Sequence, residues 1–235
     1  MPMIRDERGF TLVEMLVGMM TAMVVLAAIL MLVQLAVKSQ DQTAERVAAD
    51  QRGRPAMNKI LDRLHATCVA PLMTPVKEGS DDNTLILLSK DGSEALMTPD
   101  RYVIGLTGTS LTESVYAPTG GEPPEWTFAS TPSKTTQIVE GVGPAAIGEP
   151  PEVVPIFRYY AYEDADHDGV IETVPLKTPL SKTDASRTVR VDIAFSVRPA
   201  GGEGNAFDAV ALTDSATLRI EPASEDSAQV NMPCV

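Results

Sequence analysis

The chain has 235 residues, 44% of them hydrophobic, and a formal net charge of −13. The acid is concentrated in residues 67–235, which carry eleven Lys and Arg against twenty-five Asp and Glu. Because affinity for nucleic acid comes largely from Lys and Arg that neutralise phosphates, this balance argues against direct nucleic-acid binding. It suits a divalent cation or a basic partner, and it also serves solubility alone.

The reactive residues do not form a catalytic constellation. The sequence has two histidines, His65 and His167, and two cysteines, Cys68 and Cys234. Their spacing fits neither a zinc site nor a C-x-x-C redox motif. The sequence also lacks a serine elbow and a P-loop. We therefore expect a protein that is not an enzyme and has no organic cofactor.

The chain opens with a short polar segment, residues 1–9, followed by an apolar run from Phe10 to Val37 whose single charge is Glu14. As a helix this run would extend about 42 Å, more than the roughly 30 Å hydrocarbon core of a bilayer. It is too long for the apolar region of a secretory signal peptide, and no small-x-small cleavage site ends it. The pattern predicts a transmembrane helix over residues 10–37. A carboxylate in such a helix is costly, which predicts a functional role for Glu14 with a cationic partner.

The basic residues before the run, Arg5 and Arg8, favour a cytoplasmic N-terminus. The large domain that follows the helix is then extracytoplasmic, where a disulfide can persist.

Residues 38–66 read as a polar continuation of the helix with one apolar face. The residues of that face are Met57, Ile60, Leu61 and Leu64. Their i, i+3, i+4, i+7 spacing predicts packing on a sheet. Pro55 lacks a backbone donor and clashes with the preceding turn, so we predict a bend or break there.

Residues 67–235 read as a β-rich domain. The clearest strand is 188–197, in which Val189 and every second residue after it are apolar, predicting one core face and one solvent face. Further strands are predicted at 84–89, 102–106, 126–129, 137–139, 156–162 and 216–220. The segments 118–124 and 141–155 are rich in Pro and Gly and are predicted to be loops, and 200–205 a turn.

An acidic segment, residues 164–172, matches the first nine positions of an EF-hand calcium loop. Its ligands would be Asp164, Asp166, Asp168, the backbone carbonyl of Val170, and Glu172. Gly169 stands at the sixth position, where the loop turns sharply. The match ends at the twelfth position, where Pro175 stands instead of the bidentate Glu. The segment predicts a Ca²⁺ site, and a solvated acidic turn is the alternative interpretation.

The N-terminal sequence Gly9-Phe10-Thr11-Leu12-Val13-Glu14, followed by the long apolar run, resembles the cleavage motif of type IV prepilins and type II secretion pseudopilins. In that family a membrane-embedded prepilin peptidase cuts after the glycine and methylates the new N-terminal amine. The resemblance implies processing between Gly9 and Phe10, with residues 1–9 as the leader. It also implies that Glu14 neutralises the Phe10 amine of a neighbouring subunit during assembly.

Two further features refine the resemblance. Many major pilins have a helix-kinking proline in the apolar segment, whereas this chain has none before Pro55. Residues 52–71, and the order of FRYY at 157–160 and TVRVDIAFSV at 188–197, are similar to J-type minor pseudopilins. The implied fold is α+β and pilin-like, with a long N-terminal helical spine packed on an antiparallel sheet.

The resemblance implies a minor pilin or pseudopilin assembled into a type IV pilus or a type II secretion pseudopilus, at its tip. The implied partners are other pilin subunits, the prepilin peptidase and an inner-membrane assembly platform. The implied location is the bacterial inner membrane, with a single span, and then the fibre. Outside the cytoplasm Cys68 and Cys234 would pair, with two free thiols as the alternative. A DNA-uptake pilin and an exported domain on a simple anchor are the alternative functions.

We expect millimolar Ca²⁺ to raise the melting temperature of the purified protein. At ten times the dissociation constant, binding stabilises by about 1.4 kcal/mol, which is roughly 3–6 °C for a domain of this size. Thermal melts with Ca²⁺ and with chelator measure the shift, and Asp166→Asn with Asp168→Asn should abolish it. Identical melts in Ca²⁺ and chelator would contradict the prediction.

Overall fold

The computed structural model describes residues 11–67, 74–89, 98–122, 125–164, 170–199 and 209–218. The chain divides into two compact units, Met1–Glu45 and Arg46–Val235. The described residues are α+β: one long helix near the N-terminus, α1 (Leu12–His65), precedes a set of antiparallel strands. The expectation of an α+β chain is confirmed.

In the first unit, α1 exposes its apolar side chains. The large ones between Leu12 and Val37 are between 50% and 81% exposed. In the most apolar 18-residue window of α1 the mean hydropathy is 2.7, and none of that window is buried. By length and composition this helix could cross a membrane, as the sequence predicted for residues 10–37, and it is compatible with a single-pass anchor.

The helix continues through Pro55, so the predicted break is wrong. Both Pro55 and Gln51, whose carbonyl the proline leaves without a helical donor, are exposed. That carbonyl can be solvated, which lowers the cost of an interior proline. Burial of Gly53, Ala56 and Met57 around it supplies packing that local propensity does not include.

In the second unit, one face of α1 is buried. The buried residues are Ala49, Gly53, Ala56, Met57, Ile60 and Leu64. This confirms the predicted apolar face at Met57, Ile60 and Leu64, and Leu61 packs against the same core while half-buried. The buried face extends about two turns further toward the N-terminus than predicted. The residues added there are small and allow close approach to the strands.

The strands form two larger sheets and a separate hairpin. The first sheet has the order β1-β2-β3-β6: β1 (Thr84–Ser89), β2 (Asp100–Thr107), β3 (Ser110–Tyr116) and β6 (Lys134–Glu140). The hairpin consists of β4 (Pro118–Glu122) and β5 (Glu125–Phe128).

The second sheet has six strands, in the order β10-β9-β11-β7-β8 with β12 on the other side of β11. They are β7 (Val142–Ile147), β8 (Glu152–Val154), β9 (Phe157–Glu163), β10 (Glu172–Pro175), β11 (Arg190–Val197) and β12 (Val210–Thr217). A short helix, α2 (Lys182–Ser186), follows β10, and the Ser181 hydroxyl caps it by accepting from the Asp184 backbone N–H at 3.1 Å.

Most of the predicted strands are confirmed. The segments at 84–89, 102–106, 126–129, 137–139 and 156–162 coincide with or overlap β1, β2, β5, β6 and β9. The segment at 216–220 overlaps β12 only in its last two residues. Because β12 is paired on one side only among the described strands and is largely exposed, its sequence shows little apolar alternation.

The two segments predicted to be loops contain strands instead. Residues 118–124 include β4, and residues 141–155 include β7 and β8. Two glycines with positive φ, Gly141 at 74° and Gly148 at 90°, stand just outside the two ends of β7. They mark the turns that bound the strand, whereas the sequence prediction treated the whole Gly- and Pro-rich stretch as irregular.

The strand β11 confirms one predicted face and corrects the other. Alternate side chains from Val189 to Val197 are buried in the core. On the opposite face Thr188 and Ala194 are buried as well, and Arg190 and Asp192 are half-buried. That face is covered because Arg190 stacks over Tyr160 at 4.3 Å and lies 2.9 Å from the Asp192 carboxylate.

A buried carboxylate joins α1 to the first sheet. The Glu113 side chain on β3 is 5% exposed and contacts Lys59 at 2.8 Å and Arg63 at 3.1 Å. The guanidinium of Arg63 also lies 4.3 Å from the ring centre of Tyr102 on β2. The charges of helix and sheet are therefore paired across their interface.

We expect Glu113→Gln to destabilise the fold by about 2–4 kcal/mol, because it leaves two cations at the interface without the carboxylate. Urea unfolding of the detergent-solubilised protein measures the change. The matched control is Glu140→Gln at an exposed position of β6, which should stay within about 0.5 kcal/mol of the parent. Equal stability of the two variants would show that the ion cluster adds nothing.

Close approach between α1 and the second sheet depends on Gly53. A Cβ on Gly53 would overlap Leu212 Cδ1 and lie 3.0 Å from Val197 Cγ2. Overpacking by Gly53→Ala costs about 1–3 kcal/mol, and the higher helix propensity of Ala returns about 1 kcal/mol, so we expect the free energy of unfolding to fall by up to about 2 kcal/mol. The control is Gly105→Ala on β2, where the nearest atom would be at an ordinary 3.6 Å. If both variants unfold at the same urea concentration, the contact tolerates a side chain.

Candidate functional site

The start of α1 is organised by a capping arrangement. The backbone N–H of Glu14 donates to Thr11 Oγ1 at 3.3 Å, and that of Met15 donates to the Thr11 carbonyl at 3.1 Å. Thr11 is thus the N-cap and Glu14 the third helical residue, the spacing of a capping box. The T-x-x-E pattern was readable in the sequence, but the prediction gave Glu14 only a role in assembly.

Glu14 is exposed on a helix whose neighbouring side chains are apolar. Its carboxylate lies at the beginning of the segment that could span a membrane, where a compensating cation lowers the cost of a charge. The processing residues Gly9 and Phe10 lie outside the described residues. The cleavage site and the pairing of Glu14 with the Phe10 amine therefore stay predictions.

The acidic segment joins β9 to β10. Of its predicted ligands, Asp164, Val170 and Glu172 are described, while Asp166 and Asp168 lie outside the described residues. The strand register pairs Glu172 with Glu163, and Glu163 accepts from Arg187 at 2.9 Å. Within the described ranges no three His, Cys, Asp or Glu side chains come together as a metal site. The Ca²⁺ site stays a prediction.

The two cysteines, Cys68 and Cys234, also lie outside the described residues, and their pairing stays a prediction. The residue before Cys68 is fixed: Thr67 forms an isolated antiparallel bridge with Ser89 at the end of β1. Its hydroxyl also donates to the Leu64 carbonyl at 2.8 Å, which terminates α1.

Similarity to known proteins adds no assignment. No protein-family model matches the chain, and no curated protein matches it. The functional interpretation therefore depends on the residues and their geometry.

A cleft in the second unit was not predicted from the sequence. It has a volume of about 670 Å³ and lies between β1 and β2, the strand β5 and the helix α2. Its walls include Ile86, Leu88, Arg101, Glu125, Trp126, Phe128, Lys182 and Ala185. These residues come from four separated parts of the chain, so no local pattern connects them.

The cleft combines aromatic and charged groups. The Arg101 guanidinium stacks between Tyr116 and Phe128, at 4.4 and 5.4 Å from their ring centres. Lys182 donates to Glu125 at 3.0 Å, and this hydrogen bond raises the pKa of Lys182 and lowers the pKa of Glu125. The ion pair is exposed, so its effect on stability is small.

Two polar groups in the cleft are buried without interactions that fully offset the cost of their burial. Burial lowers the pKa of the Lys77 ammonium, although Glu125 and Glu78 act in the opposite direction. The indole N–H of Trp126, the one tryptophan of the chain, is buried without a hydrogen-bond partner among the described residues. The cations of the cleft can bind acidic groups of a ligand, and its aromatic faces can pack on apolar groups. The indole N–H can donate to a carbonyl.

Proposed function

We propose that this chain is a membrane-anchored assembly subunit of the type IV pilin class, a minor pilin or pseudopilin. The observation that carries the proposal is the first part of α1: large apolar side chains stay exposed from Leu12 to Val37, with one carboxylate in the first turn. A helical segment that is apolar on all sides needs apolar surroundings along its whole length. A bilayer supplies them first, and neighbouring helices of a fibre supply them after assembly.

The carboxylate explains why the helix would do more than anchor the chain. In apolar surroundings Glu14 requires a cation, and the described part of α1 has no Lys or Arg before Lys38. In the proposed subunit the cation is the amine of a neighbouring Phe10, exposed by cleavage after Gly9. The pair forms between subunits, so it couples charge neutralisation to assembly.

The second unit would then supply partner specificity. Residues 46–65 of α1 pack on antiparallel sheets, held by Glu113 and by the contact at Gly53. Such a domain can present loops and strand edges to other subunits, which fits a structural role. A simple anchor for an exported domain would use the same helix but would not require Gly9 or Glu14.

We expect Gly9→Leu to block processing. The membrane fraction should then contain a chain that retains residues 1–9 and lacks the methyl group, as measured by mass spectrometry of the intact protein. Gly18→Leu, further along the apolar segment, is the control and should be processed normally. Cleavage of the Gly9→Leu chain at the same position would contradict assignment of the prepilin motif.

We expect Glu14→Gln to be processed but excluded from the fibre, because it removes the charge alone. Gln is compatible with a capping box, so the helix start should be preserved. Fibre incorporation is measured by immunoblotting of sheared fibres against the membrane fraction. Glu45→Gln, an exposed position on the same helix, is the matched control. Incorporation of Glu14→Gln at the parental level would favour the simple anchor.

A further inference from the structure

We propose that the C-terminal segment of this chain, residues 219–235, binds in the cleft between α2, β5 and the outer face of β1 and β2. This inference does not depend on the proposed function, since it concerns the second unit alone. The charge of the cleft, the point where β12 ends, and the length and chemistry of the segment support it.

The charge of the cleft is opposite to that of the domain around it. Three cations line it, Lys77, Arg101 and Lys182, against two carboxylates, Glu78 and Glu125. Residues 67–235 as a whole carry more than twice as many acidic as basic residues. A local excess of cations in an acidic domain favours an acidic ligand, because the remaining surface repels one.

The floor and walls of the cleft are suited to an extended peptide. Ile86, Trp126 and Phe128 supply apolar and aromatic surface. The indole N–H of Trp126, which has no partner among the described residues, can donate to a backbone carbonyl, and Glu125 and Glu78 only partly offset the effect of burial on the pKa of Lys77. A peptide with carboxylates and free carbonyls supplies an acceptor for the indole and a further anion for Lys77.

The C-terminal segment has the required chemistry. After Arg219 it contains three acidic residues, Glu221, Glu225 and Asp226, and no further Lys or Arg. Its last six residues include the apolar Val230, Met232 and Val235. It therefore offers anionic groups together with apolar side chains.

The segment follows a residue that is bonded close in sequence to the cleft. The backbone N–H of Leu218, directly after β12, donates to the Val189 carbonyl at 2.7 Å. The chain leads from Val189 back to Ser186, which lines the cleft at the end of α2. Seventeen residues extend up to about 56–61 Å, ample to cross the cleft from that wall.

The predicted disulfide is consistent with this path. Cys68 follows Thr67, which bridges Ser89 next to the cleft residue Leu88. A bond to Cys234 would bring the end of the segment to the β1 wall, while its beginning stays at the α2 wall. A path across the cleft connects these two walls.

The one tryptophan makes the occupancy measurable, because Trp126 is in the cleft and no other indole contributes to the emission. We expect a chain truncated after Leu218 to show red-shifted emission and greater quenching by iodide than the full-length chain in the same detergent. Adding a synthetic peptide of residues 219–235 should reverse both changes. Full-length protein carrying Cys68→Ser and Cys234→Ser separates loss of the segment from loss of a disulfide.

Charge reversal in the full-length chain tests the cleft without truncation. Lys182→Glu should produce the same red shift, and in the truncated chain it should weaken binding of the added peptide by about tenfold. Lys134→Glu, an equal charge change outside the cleft, should do neither. Far-UV circular dichroism verifies that each variant is folded.

Two results would overturn the proposal. One is a truncated chain whose emission and quenching equal those of the full-length protein. The other is equal reversal by a scrambled peptide of the same composition, which would indicate a cleft for acidic segments of other proteins.

Discussion

The second unit depends on the pairing of one buried carboxylate with two cations of the helix. Glu113 is nearly inaccessible, and both its oxygens are used, one by Lys59 and one by Arg63. Such a cluster costs desolvation on both sides and adds little net stability compared with an apolar contact. Its value is positional, because a rotation of α1 about its axis would separate the charges. The pairing therefore fixes which face of the helix meets the first sheet.

The helix is fixed to the second sheet by different means. One turn and a half before Lys59, Gly53 allows Val197 and Leu212 to approach the backbone, and Arg52 donates to the Arg198 carbonyl at 2.7 Å. Ion pairs position the helix against the first sheet, and the absence of a side chain at Gly53 allows it to pack closely on the second sheet. Between them, Pro55 is tolerated because this packing supports the turns on both sides. The helix thus links two sheets that do not share a strand.

Whether a feature of this structure could be predicted depends on how far apart in sequence the interacting residues are. The helix over the apolar run, its buried face at Met57, Ile60 and Leu64, and the strand β11 with its core face follow from patterns of neighbouring residues, and they were predicted correctly. The strands β4, β7 and β8 were missed because they lie in segments rich in glycine and proline. Their backbone hydrogen bonds are supplied by partner strands, which composition does not reveal. The cleft and the Glu113 cluster join residues far apart in sequence, so no local pattern marks them.

The cap on α1 has a further consequence for a processed chain. If cleavage follows Gly9, the new ammonium is one residue before Thr11, at the end of the helix where the backbone dipoles already present positive charge. The amine and the dipole then repel, and in apolar surroundings water does not screen them. A carboxylate in the first turn offsets both at once, before any neighbour arrives. In the proposed pilin subunit, Glu14 would offset the charge of its own chain's amine before assembly, and assembly would replace that interaction with a pair between subunits.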